Sequence, residues 1–393
     1  MISAELLERL ACPLCLEAAG CAECARPAPS SDPAEYVKRA ACACGGPDKP
    51  RLLESEGALR CPSCEQRYPV HREAGFVDLV PRADVGAVTQ YADHEFHERL
   101  GVTDAPPLLS ARVKADMMRH MLDPRDGERV LDLGSGAGKF ALYAASGGAR
   151  ATGVDLAPFF LPRATRELDL VLGDLRRLPF RKGAFPKAYS LDVLEHLDEP
   201  GVREVLVEAR RTLGPDGRLF VYTHAMESSW LARFQRCVNR LAKRLGRAGL
   251  IDHAREALRK SDHVNAIKSH EHFEELAAAA GLELVERRYY NVVFKAVVED
   301  LGLRLVEQWR GRGKPQPHAH EALPSPSGKR AAGEGCEGVG GARTVEGKPP
   351  GRLVFAVALA LTWLLKLDVV LFGGLRTGPF FGLLRPRRPG TKA

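Results

Sequence analysis

From Arg129 onward the chain alternates short apolar runs with longer stretches of helical period. RVLDLG is followed by KFALYAASGG, RATGVDL, DLVLGD, KAYSLDVLEHL, VREVLVEARRTL and RLFVYTH. Apolar strands of four to six residues separated by helices predict parallel βαβ units and a three-layer α/β domain. Residues 90–125 read as a helical lead-in, YADHEFHERL and then ARVKADMMRHML, closed by DPRDG. After a basic segment at 226–260 the periodic pattern resumes in SHEHFEELAAAAGLELVERRYY, which predicts a helix ended by Gly281 and then a strand.

Both ends of the chain read differently. Residues 1–82 form a cysteine-rich unit that ends in the strand-like run FVDLVPR. Residues 311–351 hold ten Gly and six Pro in 41 positions, which predicts a disordered linker with Cys336 inside it. Beyond it LVFAVALALTWLLKLDVVLFGGL leads to GPFFGLLRPRR, so 352–388 reads as a late apolar helix and a final strand. The uninterrupted apolar run, 353–365, spans about 20 Å as a helix, short of a bilayer core. Lys366 and Asp368 then break it, so we expect this helix to pack on the sheet or rest on a membrane surface rather than cross. The main α/β domain is placed at 90–310, with 226–260 as its insert.

A hydrophobic fraction of 45% and a charged fraction of 27% exclude a wholly disordered, collagen-like or multi-span membrane chain. The net charge of +7 is local. Segment 226–260 carries +6 and residues 376–393 carry +5, which leaves −4 for everything else. In WLARFQRCVNRLAKRLGRAGLI, Leu231, Phe234, Val238, Leu241 and Leu245 recur at helical spacing among Arg233, Arg236, Arg240, Lys243, Arg244 and Arg247. Such a cationic amphipathic helix suits an anionic membrane surface or phosphates, and equally an ordinary solvated cover over the site. It holds few aromatics for stacking on bases.

Eight of the ten cysteines lie before residue 65. The opening MISAELLERLAC has acidic residues where a signal peptide would need a basic and then an apolar region, so we expect a reducing, cytoplasmic chain. Cys12-Pro-Leu-Cys15 and Cys61-Pro-Ser-Cys64 are matched knuckles, and four thiolates in two turns give the closed sulfur site of structural zinc. With RCPSCEQRYPV continuing as a strand, the expectation is a zinc ribbon. Cys21-x-x-Cys24 and Cys42-x-Cys44, in the insert between the knuckles, form either a second zinc site or loosely held thiols.

LDLGSGAGKF follows a strand and opens a helix, and Gly134, Gly136 and Gly138 permit a tight turn and close approach of a ligand. Asp155 ends the next strand, where a carboxylate can accept both hydroxyls of a ribose. Asp174 ends the third, placed to meet an adenine amino group. Lys139 is followed by Phe140, not Ser or Thr, and it also stands where a dinucleotide fingerprint needs its third glycine. Both of those nucleotide motifs fail.

On VLDLGSGAGKF, GVDL, GDLRRLPF, SLDVLEHLDEP and RTLGPDGRLFVYTH, residues 129–223 resemble class I S-adenosylmethionine-dependent methyltransferases of the ubiquinone/menaquinone-biosynthesis type. The resemblance implies a Rossmann-like seven-stranded sheet. It implies Asp132, Gly134, Ser135, Gly136 and Gly138 around the methionine part of the cofactor, with Ser190 nearby. It further implies Asp155 and Leu156 at the ribose, and Asp174 and Leu175 at the adenine. The chain departs from the family at Phe185-Pro186, where Phe-Asp is usual before the fourth strand. LLERLACPLC and LRCPSCEQRYPVHREAGFVDLVP resemble the zinc-ribbon activator of tRNA and protein methyltransferases, and the ribbon of 23S rRNA guanine-N1 methyltransferases.

Methyl transfer from a sulfonium is an in-line displacement that needs a base only when the nucleophile is protonated. The loop after the fourth strand offers Asp192, Glu195 and His196. His196 is the candidate base, its bland alternative being a histidine that only packs. The loop contains neither the Asn/Asp-Pro-Pro-aromatic signature for exocyclic amines nor a cysteine, which argues against DNA. Two acceptor classes compete: a small or lipid-linked molecule near the inner face of a membrane, and RNA reached through the ribbon and the basic segment. A non-catalytic partner of another methyltransferase is the third alternative, opposed by the intact glycine loop and its acidic partners.

Overall fold

The computed structural model describes residues 2–15, 48–80, 103–227, 229–248, 263–290, 293–299 and 351–387. All of the linker expected at 311–351 except Gly351, together with Cys21, Cys24, Cys42, Cys44 and Cys336, the lead-in before 103 and the end of the basic insert, lies outside these residues.

The first helix, α1 (Ala4–Arg9), starts at Ser3, whose hydroxyl accepts the Leu6 amide at 3.0 Å. Four short strands follow: β1 (Leu53–Ser55), β2 (Ala58–Arg60), β3 (Arg67–His71) and β4 (Phe76–Asp78). They form an antiparallel meander. Helix α2 (Leu109–Leu122) leads into the alternating region of β5 (Arg129–Leu133), α3 (Lys139–Ala145), β6 (Arg150–Asp155), α4 (Pro162–Glu167) and β7 (Asp169–Leu172). Next come β8 (Phe185–Leu191), α5 (Glu199–Thr212) and β9 (Leu213–His224). Asp198 caps α5 by accepting the Gly201 amide at 2.9 Å, with Pro200 in the first turn where its missing N–H costs nothing. The remaining elements are α6 (Trp230–Arg247), α7 (His270–Ala279), β10 (Leu282–Tyr289), α8 (Phe294–Val297), α9 (Arg352–Phe372) and β11 (Pro379–Pro386).

All eleven strands join one sheet in the order β1-β2-β3-β4-β7-β6-β5-β8-β9-β11-β10. The seven from β7 to β10 are the expected α/β sheet, parallel from β7 to β9 and antiparallel where β11 enters between β9 and β10. The register between β8 and β9 shifts at Phe185/Lys187. That irregularity falls on Pro186, which has no N–H to give the ladder. Side chains alternate across the sheet. Leu219 and Val221 of β9 face one core with α1, α5 and α7, while Phe220 and Tyr222 face the other with α2, α3, α4 and Leu365 of α9.

The cysteine-rich unit extends this sheet: β4 pairs parallel with β7 through Val77↔Val171 and Asp78↔Leu172. Ser3 tightens the join by donating to Asp169 at 2.6 Å. Beneath it lies a buried ionic network. Glu208 of α5 accepts Lys49 Nζ at 2.8 Å and Arg211 Nε at 2.7 Å, and all three side chains are fully buried. Burial opposes ionisation of Glu208, but Arg211 and Lys49 outweigh it and hold the carboxyl at about 2. Burial pulls Lys49 down to about 7 against the attraction of Glu208.

Helix α9 runs unbroken over 21 residues, so Lys366 and Asp368 do not interrupt it. Both point inward. Lys366 pairs with Asp116 of α2 at 2.7 Å. Asp368 is buried and accepts the amides of Val293, Phe294 and Lys295 at 3.0, 2.8 and 2.8 Å, capping α8. The opposite face is bare: Leu353, Trp363 and Val370 are 78%, 65% and 76% exposed. By length and composition α9 is long and apolar enough to cross a membrane. Helix α6 packs on α8 and exposes all six of its named cationic side chains, while its apolar stripe divides. Leu231 and Val238 are covered, whereas Phe234 and Leu241 are exposed.

Candidate active site

Strand order reverses between β5 and β8, and in open α/β sheets ligands bind in the crevice beyond the carboxyl ends of such strands. The glycine loop, residues 134–138, fills that position. Gly134 and Gly138 have φ of +80° and +84°, backbone that side-chain-bearing residues rarely adopt. Each is also hemmed in. A Cβ on Gly134 would meet Val193 at 2.5 Å, and one on Gly138 would meet Ala164 at 2.7 Å. A Cβ on Gly136 would meet nothing within 4 Å, so the apex of the loop faces open space.

The predicted residues gather around this apex. Asp155, at the end of β6, accepts the Gly136 amide at 2.7 Å and the Ala157 amide at 3.1 Å. Leu156 beside it is half-buried. Asp132 is buried and accepts the Tyr189 hydroxyl at 2.9 Å. Burial and the nearby Asp155 charge push it up to about 8 despite that hydrogen bond, so at neutral pH it is mostly a neutral acid. Ser190 donates to the Leu133 carbonyl at 3.2 Å, while Ser135 Oγ is buried and makes no hydrogen bond among the described residues. Asp174 accepts the amide, Nε and terminal nitrogen of Arg176 at 2.6–3.0 Å. Leu175 is buried next to it. The open apex and the carboxylates ending β6 and β7 fit a ligand with a ribose and an amino-bearing base.

The loop after β8 lies against the glycine loop through Val193 and Gly134. His196 ends its 3₁₀ turn, half-buried, with its ring perpendicular to that of His263 at 4.6 Å. Glu195 is 2% exposed and turns to β9, where Thr223 donates to it at 3.3 Å and His224 Nδ1 stands 3.4 Å away. Burial pushes the Glu195 carboxyl up, but the facing His224 imidazole outweighs burial and holds it at about 2. The ligating atoms of Asp192, Glu195 and His224 lie within 4.8 Å of one another. Lys114 of α2 pairs with Asp192, and its ammonium lies 4.4 Å above the Tyr222 ring. His224 was not anticipated from the sequence. The available signal was its place at the carboxyl end of the strand RLFVYTH, beside the loop carrying Glu195.

At the other end of the sheet, Cys12, Cys15, Cys61 and Cys64 bring their sulfurs within 4.8 Å of one another. Cys12 and Cys64 are 3.7 Å apart, and Cys61 and Cys15 3.9 Å. A tetrahedral zinc–sulfur site with bonds of about 2.3 Å has edges of about 3.8 Å. The donor set and its spacing fit that ion.

Residues 131–221 match the family described as methyltransferase domain. That stretch is therefore a class I S-adenosylmethionine-dependent methyltransferase domain. Among similar proteins, an uncharacterized 37.1 kDa protein in transposon TN4556 of Streptomyces fradiae is 33% identical over 181 residues, 43% of this chain and 50% of its own. The ubiquinone/menaquinone biosynthesis C-methyltransferase of Ruegeria sp. is 35% identical over 122 residues, 28% of this chain and 48% of that enzyme. A solved Haemonchus contortus phosphoethanolamine N-methyltransferase 2 aligns with a TM-score of 0.43 at 16% identity, covering 82% of this chain and 62% of that one. This chain spans half the length, or less, of these curated relatives.

Proposed function

We propose that the protein transfers a methyl group from S-adenosylmethionine to a small or lipid-linked acceptor, working peripherally at an anionic membrane surface. The glycine loop with its open apex at Gly136, flanked by Asp155, carries the donor assignment. In this reading Gly134, Ser135, Gly136 and Gly138 hold the methionine part, with Asp132 and Ser190 supporting the loop. Asp155 with Leu156 holds the ribose, and Asp174 with Leu175 the adenine. The donor supplies an electrophilic methyl group. The residues of the chain align the acceptor with it and exclude water. The ribbon cysteines Cys12, Cys15, Cys61 and Cys64 hold one zinc ion in a structural role, and Cys21, Cys24, Cys42 and Cys44 are the ligand set for any second ion.

The acceptor class rests on the apolar outer face of α9 together with cationic α6, both of which pack on α8. Exposed apolar surface flanked by Arg and Lys suits lipid. The named relative in Ruegeria sp. is a ubiquinone/menaquinone C-methyltransferase, consistent with an acceptor of that kind. Purified full-length protein is to be incubated with methyl-labelled donor and, separately, lipid, small-molecule and RNA extracts. Label is expected in the lipid or small-molecule fraction, and label confined to RNA would overturn the acceptor class. Calorimetry tests the donor: Asp155→Ala should weaken binding at least about tenfold, the loss of hydrogen bonds to a charged group. Unchanged affinity refutes the assignment.

A further inference from the structure

We infer that His224, held by Glu195, is the base that takes the acceptor's proton, and that the acceptor therefore carries a protonated nucleophile such as a phenolic or enolic hydroxyl. This rests on the methyltransferase reading above. His224 ends β9, and Tyr222, two positions before it on the same strand, pairs with Leu191, directly before the loop that touches Gly134. It therefore stands at the mouth of the same crevice as the glycine loop. Its Nδ1 is buried against Glu195 and makes no hydrogen bond among the described residues, whereas the side chain as a whole is 33% exposed. The exposure therefore lies on the rest of the ring, which carries Nε2. A carboxylate facing Nδ1 favours the proton there and leaves the Nε2 lone pair free. The 3.4 Å separation is long for a hydrogen bond, as is common in sites without substrate.

The ring of His196, the residue after Glu195, packs edge-on to that of His263. The other charged and titratable groups near His224 are Asp192 with its partner Lys114, and Tyr222, Tyr290 and His196. Lys114 neutralises Asp192, so Glu195 is the carboxylate left to orient the imidazole. In the reaction the acceptor oxygen bonds to the methyl carbon as the carbon–sulfur bond breaks. That electron pair stays on sulfur, giving a neutral thioether, and the acceptor's proton passes to Nε2 of His224. Glu195 is a positioning residue, and its carboxylate balances the imidazolium formed.

Nitrogen NMR of the histidine side chains in the full-length protein, with S-adenosylhomocysteine added, tests the arrangement across pH 5 to 9. The neutral imidazole of His224 should carry its proton on Nδ1, and Glu195→Ala should lower the share of that tautomer. A neutral form protonated at Nε2, or a tautomer share unmoved by Glu195→Ala, overturns the proposal. In the extract-labelling assay His224→Gln should lower incorporation by about 10²- to 10⁴-fold, with donor affinity by calorimetry unchanged. Wild-type incorporation in that variant overturns it as well. Absence of donor binding in the wild-type protein refutes the methyltransferase reading instead, and the NMR result distinguishes the two failures.

Discussion

Asp132 shows how one side chain couples the cofactor crevice to pH. Its carboxyl is raised from 3.8 to about 8, so across that window the folded protein holds a proton that the unfolded chain releases. Stability contributed by this group therefore falls as pH rises from 3.8 towards 8. Asp132→Asn keeps an acceptor for the Tyr189 hydroxyl and cannot ionise. Its stability relative to wild type should rise between pH 5 and pH 8.5, measured by urea unfolding. A constant difference would mean that Asp132 is charged in the fold. The placement of Asp132, Gly134 and Asp155 was legible in the sequence because it depends on a local strand–turn–helix. That of His224 was not, because the pairing with Glu195 joins the ends of two strands 29 positions apart.

At the scale of elements, α5 does two jobs: it covers the sheet and carries Glu208 into the ionic network with Lys49. Glu208→Gln leaves two buried cations without a counter-charge, which costs about 3–5 kcal/mol. Thermal unfolding should show a lowered midpoint, and an unchanged midpoint would mean that water already reaches Lys49. Helix α9 separates its faces just as sharply. Val370→Glu on the outer face should weaken binding to anionic phospholipid vesicles about tenfold, the loss of one buried apolar side chain. Its unfolding midpoint should stay within a degree or two, since Val370 touches little protein. The strands β5 to β10 and the longer helices were readable from periodicity, as was the strand character of PFFGLLRP, whereas β1, α4 and α8 were too short to show a period. Periodicity could not tell that Lys366 and Asp368 face inward, because that depends on the tertiary partners Asp116 and the amides of α8.

For the whole molecule, the ribbon's contribution to the fold is greater than its size suggests. Its four strands continue the main sheet, so loosening the Cys12–Cys64 knuckles should be felt at β7, where Asp174 follows. Removing zinc with a strong chelator should lower the thermal midpoint and weaken donor affinity, and re-adding zinc should restore both. Metal analysis finding much less than one zinc per chain would remove the premise. The +7 net charge was legible as a sum and misleading as one. The six cationic side chains on α6 stand exposed, and α6 and the apolar α9 both pack on α8.

The position of β11 also sets a timetable. Among the described residues β10 pairs only with β11, and β11, which must separate it from β9, begins at Pro379, 90 positions after Tyr289. At roughly 5–20 residues per second, a ribosome takes about 5–18 s to cover that distance. Throughout that interval the nascent chain presents Phe220 and Tyr222 along an unpaired β9 edge. An edge left open for that long is exposed to mispairing until β11 arrives.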